Sequence, residues 1–298
     1  MNAVNRATAD NPSPFHDGEK AVQILAGVRE EAEKRGQRML TPDLNPPQRA
    51  FFRQLPFAIT GQVDESGQPW AGLLTGEPGF IATAENTNQF AISWSRGRNV
   101  MGIKVRPGQS LAMLGIELAT RRRNRLNSTV FAADDSRWRV LIDQGYGNCP
   151  KYINERPWPA ERFAGPYTLE EQSGLGEAAR ALTLTADTFF IATSSGPANA
   201  DQQTQSSAWG TDVSHRGGEP GFVQMQGERL VFEDYPGNNM FNTLGNIARY
   251  PRCGLLLLDF DSGDMVQLAA DAELVQSGEA RSVYLTVTST RYWRRATE

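Results

Sequence analysis

Apolar and polar residues alternate over short stretches along most of this chain, and glycine, proline and aspartate clusters bound those stretches. Phe57-Ala58-Ile59-Thr60-Gly61-Gln62-Val63 predicts a first strand, followed by a turn at Asp64-Glu65-Ser66-Gly67. Trp70 to Leu74, Gln89 to Trp94 and Ser110 to Leu118 predict the next strands. Residues 121–148 add two more, centred on Val130-Phe131-Ala132 and on Trp138 to Ile142. Phe189 to Ser194, Val266 to Ala270 and Val283 to Val287 predict strands further on. Helical spacing is confined to a few places. One helix starts near Asp17 or Gly18, with Val22, Leu25, Ala26 and Val28 on its apolar side and a charged continuation from Arg29 to Arg35. Short helices are expected from Gln48 to Gln54 and just before Ala181. With so few helices between strands, a doubly wound parallel sheet is disfavoured. The pattern predicts a mainly β chain with flanking helices (α+β), built as barrels or sandwiches.

The pattern also repeats. Gly76-Glu77-Pro78-Gly79-Phe80 returns as Gly218-Glu219-Pro220-Gly221-Phe222, a spacing of 142 residues (76 to 218). At the same spacing Phe90 meets Phe232, and the apolar run Leu111 to Leu118 meets Cys253 to Phe260. Asn99-Val100-Met101-Gly102 resembles Asn242-Thr243-Leu244-Gly245 with a one-residue slip. Self-similarity of this length predicts an internal duplication. The expected organisation is a flexible arm over 1–17, a first unit over 18–162, a linker over 163–180 and a second unit over 181–298. The second copy carries a polar insertion at 196–211, where the first has a tight turn. It is either a disordered excursion or a lid over a site.

Composition narrows the function classes. The 298 residues suffice for two cores. A net charge of −4 argues against a general nucleic-acid binder, which needs excess Lys and Arg to displace counterions from phosphate. The two cysteines, Cys149 and Cys253, and the two histidines form no metal-ligand spacing, so no metal site is expected. The first residues lack the apolar core of a signal peptide, and no apolar run reaches the ~20 residues that span a bilayer. The expectation is a cytoplasmic protein without membrane partners.

The richest chemistry lies in the second copy. Asp234 to Ile247 places Asn238, Asn239, Asn242, Thr243 and Asn246 in a strand-to-helix turn, where side-chain amides and a helix N-terminus favour an anion. Upstream, Ser214, His215 and Arg216 are consecutive and suit a phosphate or a conjugated ring. The first copy has a more basic loop, Ser95-Arg96-Gly97-Arg98-Asn99. It then has Arg121, Arg123 and Arg125, which share one face if the segment is a strand. Those three charges either meet an anion or lie on a solvated edge strand. Cys149, near Lys151, is either a low-pKa thiol or a buried small side chain. His215 and Cys149 are the best candidate catalytic groups, and a lone loop histidine such as His215 is more often a hydrogen-bonding residue than a catalyst.

Four segments carry a family resemblance. They are Gly115 to Arg125, Tyr146 to Ile153, Asp212 to Gly218, and the asparagine-rich turn ending in Phe241-Asn242-Thr243-Leu244-Gly245-Asn246. Together they make the chain resemble the flavin-nucleotide-binding proteins related to pyridoxamine 5′-phosphate oxidase, over roughly residues 15–290. The resemblance implies a six-stranded split β-barrel of the FMN-binding type, here present twice in tandem. It implies FMN in the groove between two barrels, its phosphate held by the strand Ser214 to Val223 and the loop Gly237 to Thr243. Where the oxidase loop is basic, this loop has Gly237-Asn238-Asn239, and the basic version, Ser95, Arg96 and Arg98, lies in the first copy. The implied function is a flavin-dependent oxidoreductase passing electrons between a reduced nicotinamide or small reductant and an acceptor. The alternatives are a non-catalytic flavin carrier or sensor, and a deazaflavin-dependent reductase. Two barrels in one chain allow a pseudo-dimeric monomer as well as a homodimer.

Overall fold

The computed structural model describes residues 12–83, 87–197, 208–278 and 280–296. Among the described residues, sixteen strands lie in two curled antiparallel sheets with a few helices around them. The first half contains β1 (Phe57–Val63), β2 (Pro69–Gly76), β3 (Ile81–Thr83), β4 (Gln89–Ser93), β5 (Gly97–Asn99), β6 (Ser110–Glu117), β7 (Arg122–Ala133) and β8 (Arg137–Gly147). The second contains β9 (Tyr167–Ser173), β10 (Thr188–Ser194), β11 (Thr211–Gly217), β12 (Gln224–Gln226), β13 (Arg229–Glu233), β14 (Arg252–Leu258), β15 (Met265–Ser277) and β16 (Ala280–Arg295).

The two sheets share one strand order. The first sheet runs β3-β4-β8-β7-β6-β1-β2-β5, and the second, in the same direction, β12-β13-β16-β15-β14-β10-β11. One rung across the first sheet joins Leu73, Ile59, Leu114, Arg125 and Tyr146. The matching rung of the second joins His215, Phe190, Leu256, Gln267 and Arg291. The insertion falls in the β10–β11 hairpin, whose counterpart is the short turn between β1 and β2. Ser195 and Gly210 pinch its base together, with the Ser195 amide donating to the Gly210 carbonyl at 3.0 Å. Residues 198–207, the body of the insertion, lie outside the described residues.

The two halves pack through the strands that the repeat shares. A Cβ on Gly61 would stand 3.0 Å from Val213 Cβ, and one on Gly254 would stand 2.1 Å from the Pro69 carbonyl oxygen. Glycine at these two positions lets β1 approach β11 and β14 approach β2. The first core runs through both halves: Phe190, Ala192, Val213, Leu256 and Met265 belong to the same buried cluster as Ile59, Leu73 and Leu114.

The helices are α1 (Asp17–Leu25), α2 (Arg29–Met39), α3 (Pro46–Gln54), α4 (Glu177–Thr185) and α5 (Asn242–Arg249). The single amphipathic helix expected from Asp17 to Arg35 is two helices, because Gly27 turns the chain with φ 68° between them. Leu25 is consequently exposed, while Val22 is buried. The leading helix α1 packs on α5 of the second half. There a Cβ on Gly18 would come within 2.2 Å of the Gly245 carbonyl oxygen, so both crossing residues must be glycine. Of the stretch read as an arm, residues 1–11 lie outside the described residues. Phe15 is buried with Leu40, Tyr146 and Met240, and His16 caps α1. The stretch read as a linker forms β9, paired along β16, and the start of α4. No helix among the described residues is long and apolar enough to cross a membrane.

Candidate functional site

A cleft opens where β7 of the first half meets β11 and the start of α5 in the second. It encloses about 110 Å³ and is lined by Arg123, Lys151, His215, Arg216, Asn239 and Thr243, among others.

The floor is a polar network centred on Arg125, whose Nε alone of its nitrogens is buried with no partner. Arg125 Nη1 donates to both carboxylate oxygens of Asp212 at 2.9 Å and to the Tyr146 hydroxyl at 2.8 Å. Its Nη2 donates to Ser214 Oγ at 2.5 Å, and Ser214 is 2.9 Å from Thr243 Oγ1. Asn242 accepts from the Tyr146 hydroxyl and donates to the fully buried Glu19 carboxyl. Burial pushes the Glu19 carboxyl up to about 8, against hydrogen bonds from the His16 amide and Asn242 that act the other way. The Arg125 charge is thus neutralised inside the protein, and the network locks α1, β7, β8, β11 and α5 to one another.

The wall is different. Arg123 donates from Nε to the Cys149 carbonyl at 2.9 Å and from Nη1 to His215 Nδ1 at 3.1 Å. Among the described residues, no carboxylate lies within ion-pair distance of it. Burial, then the neighbouring Arg125 and Arg216, pull its pKa down to about 10, so it keeps its charge at neutral pH. Because the guanidinium can only donate, His215 Nδ1 must accept and Nε2 carries the ring proton. Nε2 is buried with no partner, as is Nε of Arg216. Burial and then the three surrounding arginines, Arg123, Arg216 and Arg156, hold the imidazole neutral, well below its ordinary value. Arg216 itself is paired at 3.0 Å with Asp234, which Arg281 also approaches.

The turn into α5 supplies the remaining wall. Its N-cap, Phe241, has φ 59° and gives the helix no side-chain cap, leaving the first amides of α5 without that partner. Three of the four non-glycine residues with positive φ, Tyr152 (64°), Asn239 (60°) and Phe241 (59°), line this one cleft. The conformation is costly for the two aromatic residues, and strain of this kind collects at functional sites. Uncapped amides, a half-buried guanidinium without a carboxylate partner and an orphaned imidazole N–H all donate; together they can hold an anion.

The structure therefore brings Ser214, His215, Arg216, Asn238, Asn239, Asn242, Thr243, Arg123 and Cys149 to one place. Arg121 stands apart: it takes φ 54° before β7 begins, and its Nε is 4.0 Å from Glu155 on the surface. The loop of Ser95, Arg96 and Arg98 is also elsewhere. Arg96 and Arg98 donate to the carbonyls of Pro78 and Ala164, and Ser95 bonds to Ser93. Cys149 is half-buried, and no helix begins at Pro150. Sequence reasoning did not single out Lys151 or Tyr152 as site residues, although both fall in a motif it quoted. Tyr152 tilts against Tyr235 at 5.1 Å, making an aromatic ledge at the cleft. The base of the insertion stacks Trp209 against Arg249, at the opposite end of α5 from the cleft.

No family model matches the chain, and no curated protein does. Among solved structures, a putative pyridoxamine 5′-phosphate oxidase from Corynebacterium glutamicum is similar at 12% identity and TM-score 0.29, over 45% of this chain and 97% of that one. The inhibitor of motility MotI/DgrA of Bacillus subtilis is similar at 8% identity and TM-score 0.24, over 78% and 87%. MrkH of K. pneumonia in its apo state is similar at 8% identity and TM-score 0.22, over 84% and 83%. At these scores none of the three bears on function.

Proposed function

We propose that this chain is a flavoprotein of two tandem split barrels that binds the FMN phosphate in the cleft between β7 and α5. We propose further that it is an oxidoreductase working between a reduced nicotinamide or small reductant and an electron acceptor. The observation that carries the reading is Arg123, a half-buried guanidinium with no carboxylate partner among the described residues, beside the orphaned His215 Nε2–H. The residues fit the group. Arg123, Lys151, the His215 N–H and the first amides of α5 would hold the phosphate. Asn238 and Asn239 would accept or donate at the ribityl chain. The ring would lie against the Tyr152 and Tyr235 ledge at the cleft. When bound, FMN supplies the electron chemistry, and the protein tunes it through the groups around the ring.

His215 favours a second reading, a carrier or sensor without turnover. Neutral, fully buried and held by Arg123, it is a hydrogen-bond donor rather than a proton shuttle. The absorbance spectrum of the purified protein tests the first step, since bound flavin colours it yellow. Bleaching by NADH or NADPH with recovery in air identifies an enzyme; a yellow protein that does not bleach identifies a carrier. A colourless protein that takes up no FMN refutes both.

A further inference from the structure

The duplication creates a second cleft, related to the first by the repeat, and its chemistry is inverted. The matched rungs place Gly72 where the first cleft has Ser214, Leu73 for His215, Leu74 for Arg216 and Gln267 for Arg125. The same spacing puts Met265 opposite the role of Arg123 and Trp70 opposite that of Asp212. The cross-half contact survives in neutral form: Gln267 Nε2 donates to the Ala71 carbonyl at 2.7 Å, where Arg125 meets Asp212. The anion subsite does not survive. A Cβ on Gly72 would stand 2.2 Å from Ile103 Cδ1, so the isoleucine occupies the space that the Ser214 side chain and its partners occupy in the other cleft.

Above that plug a cavity of about 330 Å³ remains, lined by Gln62, Val63, Trp70, Met101, Ile103 and Gln267. It is three times the enclosed volume of the first cleft. Most charges at its rim are spent on protein partners; Lys104, also in the lining, is exposed and outside every ion pair of the described residues. Arg106 pairs with Glu65 at 2.6 Å, and Arg291 pairs with Glu171 at 2.7 Å while lying 4.1 Å over the Trp70 ring. Asp64 accepts from Trp70 Nε1 at 2.8 Å. Gln267 is satisfied on both sides, since it also accepts from Trp293 Nε1 at 2.9 Å. Gln62 is not: it is 7% exposed, and its Oε1 is buried with no partner. A buried carbonyl without a donor is costly, and a ligand donor or an ordered water must supply one.

The geometry points to a second ligand site in this duplicate cleft, for an uncharged, flat molecule that donates one N–H or O–H to Gln62 Oε1. Apolar walls from Val63, Met101 and Ile103 take its faces, and the balanced rim gives no preference for a net charge. The site stands independently of what the first cleft holds.

Indole, flat and uncharged with a single N–H, is the probe. Saturation-transfer NMR on the full chain is expected to show indole binding that saturating inorganic phosphate does not displace. Gln62→Leu is expected to weaken it about fivefold, the share of one neutral hydrogen bond. Met101→Trp, which fills the cavity from its loop, is expected to abolish it even if Gln62→Leu fails to fold. Arg123→Gln, in the other cleft, leaves it unchanged. No saturation transfer, displacement by phosphate, or binding indifferent to both cavity variants would overturn the assignment.

Discussion

Arg125 and Asp212 are 87 residues apart in sequence and 2.9 Å apart in the fold, each almost wholly buried, one from each half of the duplicated chain. This pair fastens the halves together directly beneath the candidate site. Removing one member leaves the other as an uncompensated buried charge. Asp212→Asn is therefore expected to lower stability by roughly 3–5 kcal/mol. Urea unfolding measures it. A double change of both residues to apolar ones of similar volume is expected to recover most of that loss, because the desolvation cost goes with the charges.

Glu19 gives the stability a pH dependence with a definite sign. Its carboxyl is raised from 4.5 to about 8 in the folded chain, chiefly by burial. The folded form thus holds a proton that the unfolded form releases near 4.5. This contribution is complete below the unfolded value and is lost as pH rises through about 8. Glu19→Gln removes the titration. The variant is expected to be more stable than the parent at pH 7 by on the order of 3 kcal/mol. Between pH 5 and 8 the parent's stability should fall relative to the variant's. Parallel unfolding curves for parent and variant across that range would contradict the assignment.

Gly18 and Gly245 set the crossing of α1 and α5, and α5 carries the amides that face the cleft. Gly245→Ala would place a Cβ 2.5 Å from the Glu19 backbone. It is expected to cost about 1–3 kcal/mol through overpacking. It should also weaken ligand binding, since the start of α5 must move. A thermal melt and a binding titration on one preparation separate the two effects.

Much of this was legible in the chain. The strand Phe57–Val63 falls where the alternation placed it. The repeated pentapeptide located the duplication, and the asparagine-rich turn located one wall of the cleft. The residues that sequence alone misplaced are those whose partners are remote. Arg121, Arg123 and Arg125 look alike as a triplet, yet a left-handed turn at Arg121 takes it out of the strand. Arg125 is neutralised by a carboxylate in the other half, and only Arg123 is left charged and unpaired. The basic loop of Arg96 and Arg98 resembles a phosphate site by composition, but its guanidinium groups bond to backbone carbonyls. His16, in the stretch expected to be an arm, and Glu19 are both buried because α1 crosses α5, more than two hundred residues downstream.

Titration of the purified chain with FMN, followed by quenching of flavin fluorescence, tests the central claim most directly. The account predicts saturable binding of one FMN per chain, weakened ten- to a hundredfold by Arg123→Ala, as fits a charge-assisted contact of about 1.5–3 kcal/mol, and unaltered by Arg98→Ala. Absence of binding, or loss of binding in Arg98→Ala with Arg123→Ala intact, would contradict it.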